Sequence, residues 1–417
     1  MGLSLLMIAV CGRAGKFDDS ESETLYPGLK FSGLFDVRFY RTDRNLAWLQ
    51  GGYNRLRYGG IDSNADGEGD RFATGASIPQ ASLVIDAQIP QNATIHIQTN
   101  YSSDAPPGTS HFGIVEAYAS AEKAFDRDAL RLRAGGLIPP MSWEHPDVAW
   151  STRYTLTPSA IGSWVGEEVR ALGAEGVWER ELFPSAKSRL TAGLFSGGDH
   201  IGYLLWLRGW TLDDYQGSLN QEYFYAGKLI TPSQELDGRL GYYGRADFSF
   251  FDHAVETGGG YWTNNANDKM GLPVAGPATF DNFMTQPFRV SLFHYGGKLE
   301  WRRWALISQY LKATITSLSL PAQDYYSAYV LGSAEFGRAR LSARYDRFWI
   351  PSSFAGASSE SGHAFTLFAG WSFTVRQQVA VECIYANARP AFANSPETES
   401  SRSEVNRLLQ LNYRLKF

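Results

Sequence analysis

The chain has 417 residues, 44% hydrophobic and 14% aromatic, with 42 Gly, 12 Trp and 22 Tyr. Its net charge of -5, from 38 basic and 43 acidic residues, excludes the basic excess of a nucleic-acid binder. Mean hydropathy is -0.27 and no 18-residue apolar run follows the first residues, so no transmembrane helix is expected. A β-barrel hides its lipid face in alternation and remains compatible with these values.

In chain order, Leu3 to Val10 is a short apolar run followed by Gly12-Arg13-Ala14. It reads as a secretory signal over 1–14, with the basic first region missing. Residues 15–28 are expected to form an N-terminal periplasmic segment, and 29–417 one barrel. The only cysteines are Cys11 and Cys383, which excludes an internal disulfide and a cysteine zinc site in the mature chain.

Strand-like alternation begins at Phe35, Val37 and Phe39, against Asp36 and Arg38. It recurs at 82–89, 93–101, 115–120, 130–134, 168–179, 187–196, 238–250 and 253–263. The last third adds 286–300, 303–315, 325–336, 338–349, 363–375, 378–388 and 404–417. The final run is the clearest: Leu409, Leu411, Tyr413, Leu415 and Phe417 on one face, Gln410, Asn412, Arg414 and Lys416 on the other. The total is about 16 strands, most near the ten residues a tilted transmembrane strand needs. A pair of strands within Ser196–Trp210 would raise it to 18; that stretch otherwise reads as an interfacial aromatic patch at the rim.

Connections alternate short and long. Long ones fall at about 42–79, 102–111, 137–167, 197–237, 264–285, 316–324, 350–362 and 389–403. Short periplasmic turns against long extracellular loops are the asymmetry of an outer-membrane barrel. A propeller would show a 40–50-residue repeat, and none is found. The fold class is therefore all-β, a single transmembrane antiparallel barrel, in the outer membrane of a Gram-negative bacterium.

The wet faces carry both signs: Arg131, Arg133, Arg170, Arg239, Arg245, Arg340 and Arg344, with Asp86, Glu116, Glu175, Asp247, Glu300, Asp346 and Glu382. Such charges either form a field that sorts solutes or pair with one another. The long stretch 137–167 holds Trp143, Glu144, Asp147, Trp150, Arg153 and Trp164. A loop this apolar is expected inside the barrel, as a pore constriction or as packing on the wall. The spacing D-x-N-x-D-G-x-G-D at Asp62, Asn64, Asp66 and Asp70 can wrap Ca²⁺, or is a plain acidic surface loop. It resembles the first half of an EF-hand loop, with Ala73 where the last ligand would stand.

The seven His lie beside no serine-nucleophile motif, so no enzyme is expected. The expected function is passive diffusion of small hydrophilic solutes or ions through a water-filled channel, without an obligatory cofactor. The alternative is a sealed or partner-filled structural barrel.

Two resemblances add to this. The ending L-Q-L-N-Y-R-L-K-F resembles the C-terminal signal of bacterial outer-membrane barrels, which implies recognition by the barrel-assembly machinery through Phe417. The runs V-E-A-Y-A-S-A (115–121), L-R-L-R-A-G-G-L-I-P-P (130–140) and G-E-E-V-R-A-L-G-A-E (166–175) resemble the phosphate-selective porin superfamily. That resemblance implies a passive diffusion channel in outer-membrane lipid, often a homotrimer.

Overall fold

A computed structural model describes residues 28–417, except 51, 53, 66–68, 90–91, 107–108, 226–227, 271–284, 353–358 and 390–403. The leader and most of the N-terminal segment thus lie outside the described residues. The first seven strands are β1 (Leu29–Thr42), β2 (Thr74–Ile89), β3 (Ala93–Tyr101), β4 (Phe112–Ala124), β5 (Asp128–Leu137), β6 (Ala171–Phe183) and β7 (Ala186–Ser196). A short hairpin, β8 (Tyr223–Tyr225) and β9 (Lys228–Ile230), stands apart as a two-stranded sheet. Then come β10 (Gly241–Phe250), β11 (Val255–Thr263), β12 (Arg289–Trp301), β13 (Trp304–Ser317), β14 (Leu320–Phe336), β15 (Ala339–Ile350), β16 (Glu360–Ser372), β17 (Gln377–Arg389) and β18 (Glu404–Lys416). All but the hairpin form one closed antiparallel barrel of 16 strands. Each pairs with its sequence neighbour, β7 pairs with β10 across the insertion, and β1 closes on β18.

Alternation sets the two faces. On β18, Leu409, Leu411 and Tyr413 are 47%, 51% and 38% exposed, while Gln410, Asn412 and Arg414 are at most 4% exposed. The outer wall is therefore apolar. Exposed aromatics band it at both ends: Phe183, Trp301, Trp304 and Phe336 toward the short turns, Phe112, Tyr242, Phe293 and Tyr345 toward the long loops. An apolar belt between two aromatic girdles is the surface a bilayer requires of a barrel. Among the described residues, no helix is long and apolar enough to cross a membrane.

Three boundaries differ from the sequence reading. The loop expected at 316–324 is a two-residue turn, with Ser317 opposite Leu320, and β14 begins five residues early. Pro321 and neighbouring turn-type residues mask the pattern, but a proline is tolerated at a strand start. Strand β2 likewise begins at Thr74, inside the stretch expected to be loop. Its register slips where Ile78 and Pro79 share one place opposite β1, so the proline sits in a bulge. The rim stretch 196–210 contributes no strand pair. Ile201–Arg208 is helix α2, buried on every side inside the barrel. A helix apolar all round belongs in a core. Gly202 lets it approach the wall, since a Cβ there would stand 2.6 Å from Val290 Cγ2. Gly209, at φ +70°, terminates it.

Candidate functional site

The segment 138–170 leaves β5 and folds into the lumen, where wall side chains hold its backbone. Arg245 donates to the carbonyl of Pro140, and Gln309 Nε2 to that of Met141 at 2.6 Å. Arg414 reaches the carbonyl of Thr152 at 3.0 Å, and Arg340 that of Arg153. Glu382 accepts the N–H groups of Leu156 (2.6 Å) and Thr157 (3.0 Å). Lys416 pairs with Asp147 at 2.5 Å, and the Tyr154 hydroxyl donates to Glu300 at 2.5 Å. A loop inside a barrel must find partners for its polar backbone, and wall side chains supply them here.

The centre of this arrangement is Arg344. Its guanidinium pairs with Asp346 at 2.8 Å and Glu144 at 3.2 Å, and donates to the carbonyls of Thr157 (2.6 Å) and Pro158 (2.8 Å). Glu144 in turn accepts the N–H and hydroxyl of Ser159. Ser159 is the N-cap of helix α1 (Ala160–Glu168), accepting from the N–H of Gly162. Ion pair, cap and helix are thus one unit. Burial raises the Glu144 carboxyl, opposed by Arg344. Burial and Arg344 both lower the neighbouring His145 to about 3, so this imidazole is neutral. Its ring stacks on Trp150 at 3.5 Å and bonds the Ser142 hydroxyl at 2.7 Å.

A second insertion, 197–240, packs α2 beside α1. Arg208 pairs with Glu167 and Glu168, each at 2.5 Å, and lies over the Trp48 ring at 4.1 Å. Burial raises Glu168 to about 7, against the pull of Arg208. Asp214 bridges Arg38 of β1 (2.5 Å) and Arg57 of the first long loop (3.0 Å). Burial opposes that charge, but the two guanidinium groups outweigh it and hold Asp214 at about 2. Two voids in this half of the lumen hold about 10 Å³ each. One is lined by Gln80, His145, Trp150 and Arg414, the other by Asn100, His111, Tyr215 and Gln221. That is room for roughly one water apiece.

Toward the short turns the inward face is wetter, and its charges pair across neighbouring strands. Arg133 meets Glu175 at 2.6 Å, Arg189 meets Glu179 at 2.7 Å, and Lys298 meets Glu256 at 3.5 Å. Each of these three pairs is directly opposite in register. Arg245 pairs with Asp247 at 2.8 Å along one strand.

The residues singled out from sequence separate into groups. Glu144 and Arg344 meet, as do Arg133 and Glu175. Trp143 lies under Arg245, at 4.7 Å. Arg340 contacts Glu335, the carbonyl of Arg153 and the Tyr154 ring. Trp150 is held against His145. Arg131 faces inward, apart from these. Arg170 is drawn away from the lumen wall, donating to the carbonyls of Val165 and Gly166 in α1 and of Val169 just after it. Sequence reasoning missed Arg38, Arg57, Asp214 and the pairing of Arg208 with Glu167 and Glu168. The adjacent acids at 213 and 214 in an apolar stretch were a signal, but their partners lie far away in sequence.

For metals, Asp62, Asn64 and Asp70 lie on an exposed loop, and Asp66 is outside the described residues. Asp70 accepts from the Ser63 hydroxyl at 3.0 Å and the Asn64 amide at 3.4 Å. A second acidic group, Asp199, Glu235 and Asp237, brings ligand atoms within 4.8 Å of one another. Backbone N–H groups already serve all three, including Leu236 to Asp199 at 2.7 Å and Gly197 to Glu235 at 2.7 Å. Burial raises Asp199 to about 7.

No family model matches the chain, and no curated protein matches it in sequence. Solved structures do. The outer-membrane channel DcaP of Acinetobacter baumannii superposes with a TM-score of 0.56 at 9% identity, over 95% of this chain and 99% of that one. OmpF of Salmonella typhi, solved with daunomycin, gives 0.54 at 12% identity over 94% and 99%. An anion-selective porin from Comamonas acidovorans gives 0.52 at 10% over 93% and 99%. At these identities the likeness concerns architecture. The chain has the fold of bacterial outer-membrane porins.

Proposed function

We propose that the protein is an outer-membrane porin of a Gram-negative bacterium, carrying small hydrophilic solutes or ions by passive diffusion. The observation that carries this reading is the pairing of faces: an apolar belt between aromatic girdles outside, and a charged, part-exposed wall inside, on a porin fold. In this proposal, segment 138–170 is the constriction, and Trp143, Arg245, Arg133 and Glu175 line its short-turn mouth. Membership of the phosphate-selective superfamily, a homotrimeric assembly and the absence of catalysis belong to the same proposal. Ca²⁺ at Asp62, Asn64, Asp66 and Asp70 would bind at the outer surface, outside the conduction path.

One observation favours a second reading, a sealed or partner-filled barrel: the voids of about 10 Å³ in the loop-filled half. Single-channel recording in a planar bilayer separates the two. Discrete steps, with a reversal potential in a salt gradient, are the expected result. Folded, heat-modifiable protein that gives no steps overturns the channel in favour of the sealed barrel.

A further inference from the structure

On the outer wall, the long-loop rim of β15 to β17 carries exposed basic residues. In register on the outside, Tyr345, Phe365 and Tyr385 lie side by side on β15, β16 and β17. One outward step nearer the loops come Arg347 and His363; the next brings Trp349, Ser361 and Arg389. Arg347 and Arg389 are exposed and flank β16, two strand spacings apart and offset by two residues along the strands, so their Cα atoms are about 12 Å apart. Among the described residues neither has a carboxylate within ion-pair distance. Arg347 donates one bond, at 3.3 Å, to the carbonyl of Gly362. Nearby Arg407 differs, because Asp43 lies beside it and shares its charge.

Arg347, Trp349, Ser361 and Arg389 edge a cavity of about 620 Å³, together with Ile350, Pro351, Ser359 and Glu360. The Glu360 carboxylate is turned into the barrel, toward Arg55 at 3.4 Å and the N–H of Trp210 at 3.3 Å. The outward opening therefore presents two guanidinium groups, an indole and serine hydroxyls. At the same end of β3 to β10, the outward strand positions are Tyr101, Phe112, Ile114, Leu172, Leu194 and Tyr242, with no charge among them.

A basic side chain just beyond an aromatic girdle stands at headgroup height, where anionic lipid attracts it. Arginine pairs bidentately with phosphate, and two of them bracket a cavity of headgroup size. We propose that this rim groove on β15–β17 binds the phosphorylated headgroup of an anionic glycolipid of the outer leaflet, with Arg347 and Arg389 on its phosphates and Trp349 against its sugar. This rests on the outer-membrane reading above.

The test uses the full-length protein in phosphatidylcholine nanodiscs, titrated with diphosphoryl lipid A, with dephosphorylated lipid A, and separately with inorganic phosphate, with retained lipid counted by native mass spectrometry. The expected result is retention of diphosphoryl lipid A that falls at least fivefold in the R347Q/R389Q double variant. Lys312→Gln, on β13 two strands away from β15 and already paired with Asp324 at 2.9 Å, should not change it. Heat-modifiable mobility confirms that each variant folds. Equal retention by wild type and double variant overturns the inference, as does equal retention of the dephosphorylated lipid. Displacement by millimolar inorganic phosphate alone assigns the arginines to a free anion and also overturns it. Failure to insert into a bilayer at all overturns the outer-membrane reading, and this inference with it.

Discussion

Toward the long loops the inner wall presents Val290, Leu292, Leu311, Ala313, Ile315 and Tyr325, each at most 1% exposed, and α2 packs on them. Toward the short turns β11 and β12 turn in Glu256, Lys298 and Glu300, all part-exposed. One barrel thus has a dry half and a wet half. On β11 to β14 the inward face is charged where it is part-exposed and apolar where inserted chain covers it. Where inserted chain replaces water, the wall becomes an ordinary core, and the buried charges that remain are paired and hydrogen-bonded.

The dry half should be much more sensitive to loss of a charge. Arg344→Ala leaves Glu144 and Asp346 buried without their partner, which costs on the order of 3–5 kcal/mol. The expected outcome is a lower melting temperature of the heat-modifiable form and a larger, noisier conductance as 138–170 loosens. Unchanged melting would show that Arg344 does not hold the segment. Next in size is overpacking: Gly202→Val drives a side chain into Val290 and Ile315, at about 1–3 kcal/mol. Limited proteolysis should then cut 197–217 earlier than in the wild type.

Two groups in the dry half respond to pH with opposite sign. Glu168 is raised from 4.5 to about 7 by burial, so its contribution is full below 4.5 and is lost as pH rises through 7. His145 is lowered from 6.5 to about 3, so its contribution is full above 6.5 and is lost as pH falls toward 3. Between pH 4.5 and 6.5 they oppose one another. Glu168→Gln should make the packed loops less stable on acidification relative to wild type, and His145→Gln more stable. Protease protection measured from pH 8 to 4 checks this; shifts of the same sign in both variants would sink it. The smallest effect belongs to the wet half. Arg189→Gln breaks an exposed pair worth under about 1 kcal/mol, so only the reversal potential should move, toward cations.

The barrel was legible because its signal is local. Leu409–Tyr413 alternates in sequence as it does in space, and each of the sixteen barrel strands overlaps a stretch of alternation, though β1, β2 and β14 begin five to eight residues before it. Pro79 and Pro321 blurred two boundaries, since a bulge or a strand start absorbs a proline without leaving a pattern. The interior was less legible. Trp143, Glu144 and Trp150 could be placed inside by their apolar company. Their partners Arg245 and Arg344 were recognised only as inward bases, because a pairing 200 positions apart, Arg344 with Glu144, has no sequence period. Helix α2 was missed for a related reason: apolar residues on every side give it no face to read.

The seam between β1 and β18 joins the beginning of the described chain to its end, with Phe35 opposite Leu415. Lys416 and Arg414, which fasten 138–170, stand on the strand that makes this seam. Asp147 and the carbonyl of Thr152 are therefore held by a part of the wall that is in place only once the two ends of the sheet have met. Closure of the barrel and anchoring of the insertion are thus coupled through one strand, across contacts of long sequence separation.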